Sequence, residues 1–111
     1  MPKTKTAKKK YEKALRKPKD QKFVLRLYIA GMTLRSTHAV ENIRDICDTY
    51  LRGHYDLEVI DIYQHRKLAR GEQIIATPTL IKKLPVPLRK FIGDLSDKQR
   101  VLLGLDLTEK E

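Results

Sequence analysis

The stretch IIATPTLIKKLPVPLRKFIGDLS, residues 74–96, decides how this chain folds. It sets Pro78, Pro85 and Pro87 and the pair Gly93-Asp94 among runs that are otherwise apolar or basic. Proline fixes φ and has no amide donor, so it belongs at strand edges and turns and not inside a paired strand. A segment punctuated in this way can be ordered in more than one manner. What precedes it is plainer and supplies what it packs against.

Residues 23–30, FVLRLYIA, are apolar except for Arg26 and rich in β-branched and aromatic side chains. That pattern predicts an interior strand covered on both faces, ended by Gly31. Residues 36–52 predict a helix, with Val40, Ile43, Cys47 and Tyr50/Leu51 on one face, Ser36 as N-cap and Gly53 just past the end. Asp48 and Arg52 are expected to pair at i,i+4. Residues 56–63, DLEVIDIY, predict a second strand. Short links make this a βαβ unit with two parallel strands.

Beyond Tyr63 the pattern loosens. Residues 64–73 predict a short helix or an irregular loop, and residues 79–83 a third strand. Ser96 to Gln99 reads S-x-x-Q, a capping box that nominates a helix over residues 97–103. Val101 to Leu107, VLLGLDL, fits a strand equally well, and Phe91-Ile92 fits either state. Apolar runs this short are not assigned by period alone.

Composition bounds the function. A chain of 111 residues, 41% hydrophobic and 34% charged, predicts one soluble domain with one modest core. No apolar run approaches the ~20 residues of a membrane span, and no apolar N-terminal stretch marks a signal peptide. The single cysteine excludes an internal disulfide and fits a cytoplasmic protein. Of the net charge of +10, residues 1–22 carry +8 and residues 23–111 only +2. The expected organisation is a basic, disordered extension over residues 1–22 and a single near-neutral domain over residues 23–111. Nucleic acid is therefore an unlikely partner for the folded body.

Nothing in the chain points to catalysis. His38, His54 and His65 lie on different predicted elements without a second ligand at metal spacing. There is no phosphate-binding glycine loop and no nucleophile in a motif context. The βαβ unit followed by Ile-Ala-Thr-Pro-Thr-Leu resembles a thioredoxin-like domain, yet the place of its dithiol reads Gly31-Met32-Thr33-Leu34-Arg35. Cys47, deep in the predicted helix, has no resolving partner. No catalytic residue, metal or cofactor is expected.

LRLYIAG (25–31), YDLEVIDI (55–62), IIATPTL (74–80) and LPVPLRKFIGDLSDKQRVLLGLDL (84–107) together resemble the KaiB family. The resemblance implies an α/β fold with a thioredoxin-like βαβ N-terminal half and a C-terminal half able to adopt two packings. One is a family-specific resting arrangement in a homo-oligomer, a tetramer or dimer. The other is a thioredoxin-like monomer that docks on the ATPase ring of KaiC. It further implies a non-catalytic regulator of KaiC phosphorylation or ATPase cycling, with a histidine kinase or other clock output protein as a further partner.

Carried over by motif, Pro78, Pro85, Pro87, Gly93 and Asp94 fall in the switching region. Lys82, Arg89 and Lys90 flank it as a candidate basic rim for a partner. Departures from cyanobacterial relatives, such as Pro85-Val86-Pro87 for a triple proline, suggest a divergent or non-cyanobacterial member. The competing function class is a thioredoxin-like adaptor without redox activity, whose basic tail contacts nucleic acid or membrane.

Overall fold

The structure, a computed structural model, describes residues 22–107. The expected basic extension, apart from Lys22, lies outside the described residues. Seven elements follow one another: β1 (Phe23–Ile29), α1 (Leu34–Tyr50), β2 (Tyr55–Asp61), α2 (Arg66–Gly71), β3 (Thr79–Leu84), β4 (Arg89–Ile92) and α3 (Lys98–Gly104). The sheet order is β2-β1-β3-β4. β1 and β2 run parallel with Phe23 opposite Tyr55 and Ile29 opposite Asp61, as the βαβ reading requires. β3 is antiparallel to β1, and β4 to β3.

Strand periodicity divides the core between the two faces. Phe23, Leu25, Leu27, Ile29 and Leu80 face α1 and α3, burying Ile43, Ile46, Cys47, Val101, Leu102 and Leu105. Tyr28 and Ile81 point to the other face, where Ala69 of α2 and Ile60 cover them. β1 is thus covered on both sides, which explains its almost unbroken apolar run. Its one charge, Arg26, stands opposite Glu58 on β2, and the two side chains pair at 3.3 Å.

Helix α1 begins earlier than its sequence suggests. Thr33, not Ser36, is the N-cap, its hydroxyl accepting from the Ser36 amide at 3.1 Å, while Ser36 is buried in the first turn. Gly31, at φ +71, turns the chain immediately after β1, so helical geometry is available three residues sooner. The expected Asp48–Arg52 pair does not form. Arg52 lies past the last helical turn, and Asp48 instead accepts from the Tyr55 hydroxyl at 2.8 Å.

The ambiguous half resolves into local structure that tertiary contacts decide. Phe91-Ile92 are strand residues because β4 pairs with β3, Phe91 opposite Leu80 and Ile92 opposite Thr79. Residues 101–104 are helical, with Val101, Leu102 and Leu105 buried against the sheet. The cap of α3 is Asp97, whose carboxylate accepts from the Arg100 amide at 3.2 Å, one residue beyond the expected Ser96. Ser96 is otherwise engaged, by Asp94.

Candidate functional site

The β3–β4 hairpin divides the sequence-predicted switch residues between its two ends. Pro85 and Pro87 lie in the turn between the strands, and Pro78 precedes β3 while Gly93 and Asp94 follow β4. The peptide bonds before all three prolines are cis. At the open end the Gly93 amide donates to the Pro78 carbonyl at 2.9 Å, so Pro78, Gly93 and Asp94 form one cluster. Pro85 and Pro87 are not part of it.

Gly93 sits at φ +122, a conformation side chains with a Cβ rarely adopt. A Cβ there would have room, its nearest neighbour being Arg35 Nη2 at 3.8 Å, so the requirement for glycine is conformational and not steric. This glycine-only geometry belongs to the thioredoxin-like packing itself.

Asp94 caps the turn. Its carboxylate accepts from the Ser96 amide at 3.1 Å. The Ser96 hydroxyl and amide hold it below the usual carboxylate range, with Arg35 and His38 adding to the effect. The Asp94 carbonyl accepts from Asn42 Nδ2 of α1 at 2.8 Å.

Beside this turn, between β4 and α3, lies an open cleft of about 420 Å³ walled by Arg35, Arg89, Lys90, Gly93, Asp94 and Arg100. Arg35 comes from the first turn of α1, Arg89 and Lys90 from β4, and Arg100 from the first turn of α3. None of the three arginines makes an ion pair within the described residues. Lys90 donates to the Glu72 carbonyl at 3.0 Å, across the other face of the hairpin. Four cations and the two carboxylates of Asp94 and Asp97 leave the rim positive.

Lys82 does not belong to that rim. It stands opposite Leu25 on β1 and Arg89 on β4, on the helix-covered face, and none of its side chain reaches solvent. Its Nζ lies 3.9 Å from the exposed Asp106 carboxylate and has no hydrogen-bond partner among the described residues. Burial pushes its pKa down, against the pull of Asp106. Arg35 and Arg100 replace it in the cleft. Their chain separation gives no local signal, and only the packing of α1 and α3 on one sheet face brings them together.

The Cys47 thiol is fully buried in the α1 face of the core and pushed up to about 12 by that burial. His38 is on α1, His54 precedes β2 and His65 stands immediately before α2 without capping it through its side chain. Among the described residues no group of three His, Cys, Asp or Glu side chains could hold a metal ion. No helix among them is long and apolar enough to cross a membrane.

Comparison with known proteins places this geometry. The N-terminal domain of Synechococcus elongatus SasA superposes with a TM-score of 0.64 at 23% identity, covering 82% of this chain and 90% of that one. Mitochondrial thioredoxin 3 of Saccharomyces cerevisiae superposes with a TM-score of 0.63 at 15% identity, covering 81% of this chain and 83% of that one. Both likenesses show the fold alone, which is thioredoxin-like. The circadian clock oscillator protein KaiB of Prochlorococcus marinus (strain MIT 9313) is 51% identical over 89 residues, 80% of this chain and 75% of that relative. The KaiB domain model matches residues 26–107, from the middle of β1 to the end of the described chain. With the βαβ unit, the Pro78–Gly93 tie and the closing α3 all inside the matched span, this chain belongs to the KaiB family.

Proposed function

We propose that the chain is a non-catalytic clock regulator that binds a KaiC-type ATPase and modulates its phosphorylation or ATPase cycle. The observation that carries this reading is the 51% identity over 89 residues to a circadian clock oscillator protein. The thioredoxin-like packing supports it, because this is the form that the family resemblance associates with KaiC docking. A homo-oligomeric resting form with a different C-terminal packing is its counterpart, and choice between the two sets how much protein is ready to bind. The setting is cytoplasmic, and a SasA-type histidine kinase is a further partner or competitor.

The positive cleft gives the docking step a physical basis. Arg35, Arg89 and Arg100 are free of ion pairs within the described chain, so they can pair with carboxylates on a partner without breaking existing bonds. Rim charges of this kind act chiefly on the association rate and on its salt dependence. Reversing Arg35, Arg89 and Arg100 to Glu is expected to slow association with the KaiC ring, in ATP, by at least about tenfold and to abolish or invert the fall of that rate with added salt. A folded triple variant that associates at the parental rate removes the cleft from the reading. A parental protein that forms no complex with KaiC removes the reading itself.

A further inference from the structure

The cleft exists because α3 lies close against β4, and one residue permits that approach. Gly104 ends α3 directly over the ring of Phe91 on β4. A Cβ on Gly104 would overlap Cε2 and Cζ of Phe91 and lie 3.4 Å from Cδ2. Phe91 is half-buried, stands opposite Leu80 and packs on the main core, so a ring that shifts to admit the Cβ would loosen that contact. Gly104 is not held there by backbone conformation, since Gly31, Gly53 and Gly93 are the glycines with positive φ and it is not among them. A helical position with ordinary dihedrals favours alanine over glycine. Local propensity therefore argues against the residue that is present, and the tertiary contact argues for it.

We propose that Gly104 is a positioning residue for the binding cleft: the absence of its Cβ lets α3 seat on Phe91, and so favours the thioredoxin-like packing over any arrangement that separates residues 91 and 104. The proposal deepens the KaiC-binding reading and rests on it for its consequence in function, though not for its structural content. Both residues fall where the sequence by itself admits helix and strand alike, so their meeting is a property of this packing and not of either segment alone. Docking of α3 also sets the distance of Arg100 from Arg35 and Arg89 across the cleft. A displaced α3 would separate the cations that the partner meets together.

The test is a cycle of four full-length proteins: wild type, Gly104→Ala, Phe91→Leu and the double variant. Each is compared by amide NMR for the fraction in thioredoxin-like form, by urea midpoint, and by association rate with the KaiC ring in ATP. Gly104→Ala is expected to lower the thioredoxin-like fraction or its urea midpoint and to slow association by about tenfold, equivalent to about 1.4 kcal/mol. The smaller side chain in the double variant is expected to restore both readouts most of the way. Phe91→Leu alone measures whatever the ring contributes directly.

A Gly104→Ala protein that matches or exceeds wild type, as helix propensity alone dictates, overturns the proposal. So does a loss that Phe91→Leu does not relieve. If wild type fails to bind KaiC, the functional reading falls while the spectra and urea midpoints still judge the Gly104–Phe91 contact.

Discussion

Asn42, in the middle of α1, donates to the Asp94 carbonyl at 2.8 Å, joining positions 52 residues apart. The same turn is held from its other side by the Gly93 amide on the Pro78 carbonyl at 2.9 Å. The connection between β4 and α3 is thus fixed to the βαβ half and to the start of β3 at once. A turn tied to two distant elements keeps its shape only while all three are packed together.

Removing the α1 tie isolates its worth. Asn42→Ala is expected to destabilise the thioredoxin-like form by about 1 kcal/mol, and more if the part-buried Asp94 carbonyl finds no water. The urea midpoint is expected to fall with an unchanged m-value. A variant as stable as wild type would show that the hydrogen bond merely accompanies the packing.

The Asp94 carboxylate is expected to couple that turn to acid. Its folded pKa is lowered by Ser96, so the stability it contributes is fully present above the unfolded value of about 3.9 and is lost as pH falls through the folded one. Asp94→Asn keeps an acceptor oxygen but cannot ionise. The advantage of wild type over Asp94→Asn in urea midpoint is therefore expected at pH 6 and to shrink toward pH 3. An advantage constant across that range would place its origin elsewhere than in the charge.

Lys82 makes the opposite linkage. Its folded pKa is lowered by burial, so the folded state disfavours the ammonium. The penalty is fully present below the folded pKa and is relieved as pH rises from there to the unfolded value of about 10.4. Lys82→Met keeps the bulk and removes the buried amine. It is expected to raise the stability of this packing at pH 7, because an apolar group of similar volume replaces a buried ammonium. The gain is expected to narrow toward pH 10. A destabilised Lys82→Met protein would show that the Asp106 contact outweighs the burial.

How far the sequence reveals this molecule depends on where its information is local. β1, α1 and β2 are legible because each buries a long, regular pattern: an unbroken apolar run in β1 and a single apolar stripe in α1. Cys47 falls on that stripe and is buried as its position implies. The cap of α1 is misplaced because Thr33 and Ser36 both suit a cap, and only the turn at Gly31 chooses between them. Past Tyr63 the segments are four to seven residues long, and β4 is a strand only because β3 lies beside it.

Lys82 shows the same limit in a single residue. In the sequence it is one cation among several near the prolines, while its register opposite Leu25 sends it beneath the helices. Of the six residues named in the cleft wall, Gly93 and Asp94 are legible as motif and Arg89 and Lys90 as clustered charge. Arg35 and Arg100 are not, since nothing short of the packed sheet brings them to one cleft.

The central claim is that the chain engages KaiC in the thioredoxin-like packing seen here. Amide hydrogen exchange on the isotopically labelled chain bound to the KaiC ring in ATP tests it most directly. Protection is predicted for the Gly93 amide, which donates to Pro78, and for the paired positions of β3 and β4, from Thr79–Ile92 to Lys82–Arg89. A stable complex in which those amides exchange freely, or in which residues 89–92 lose their strand pairing, would contradict the account.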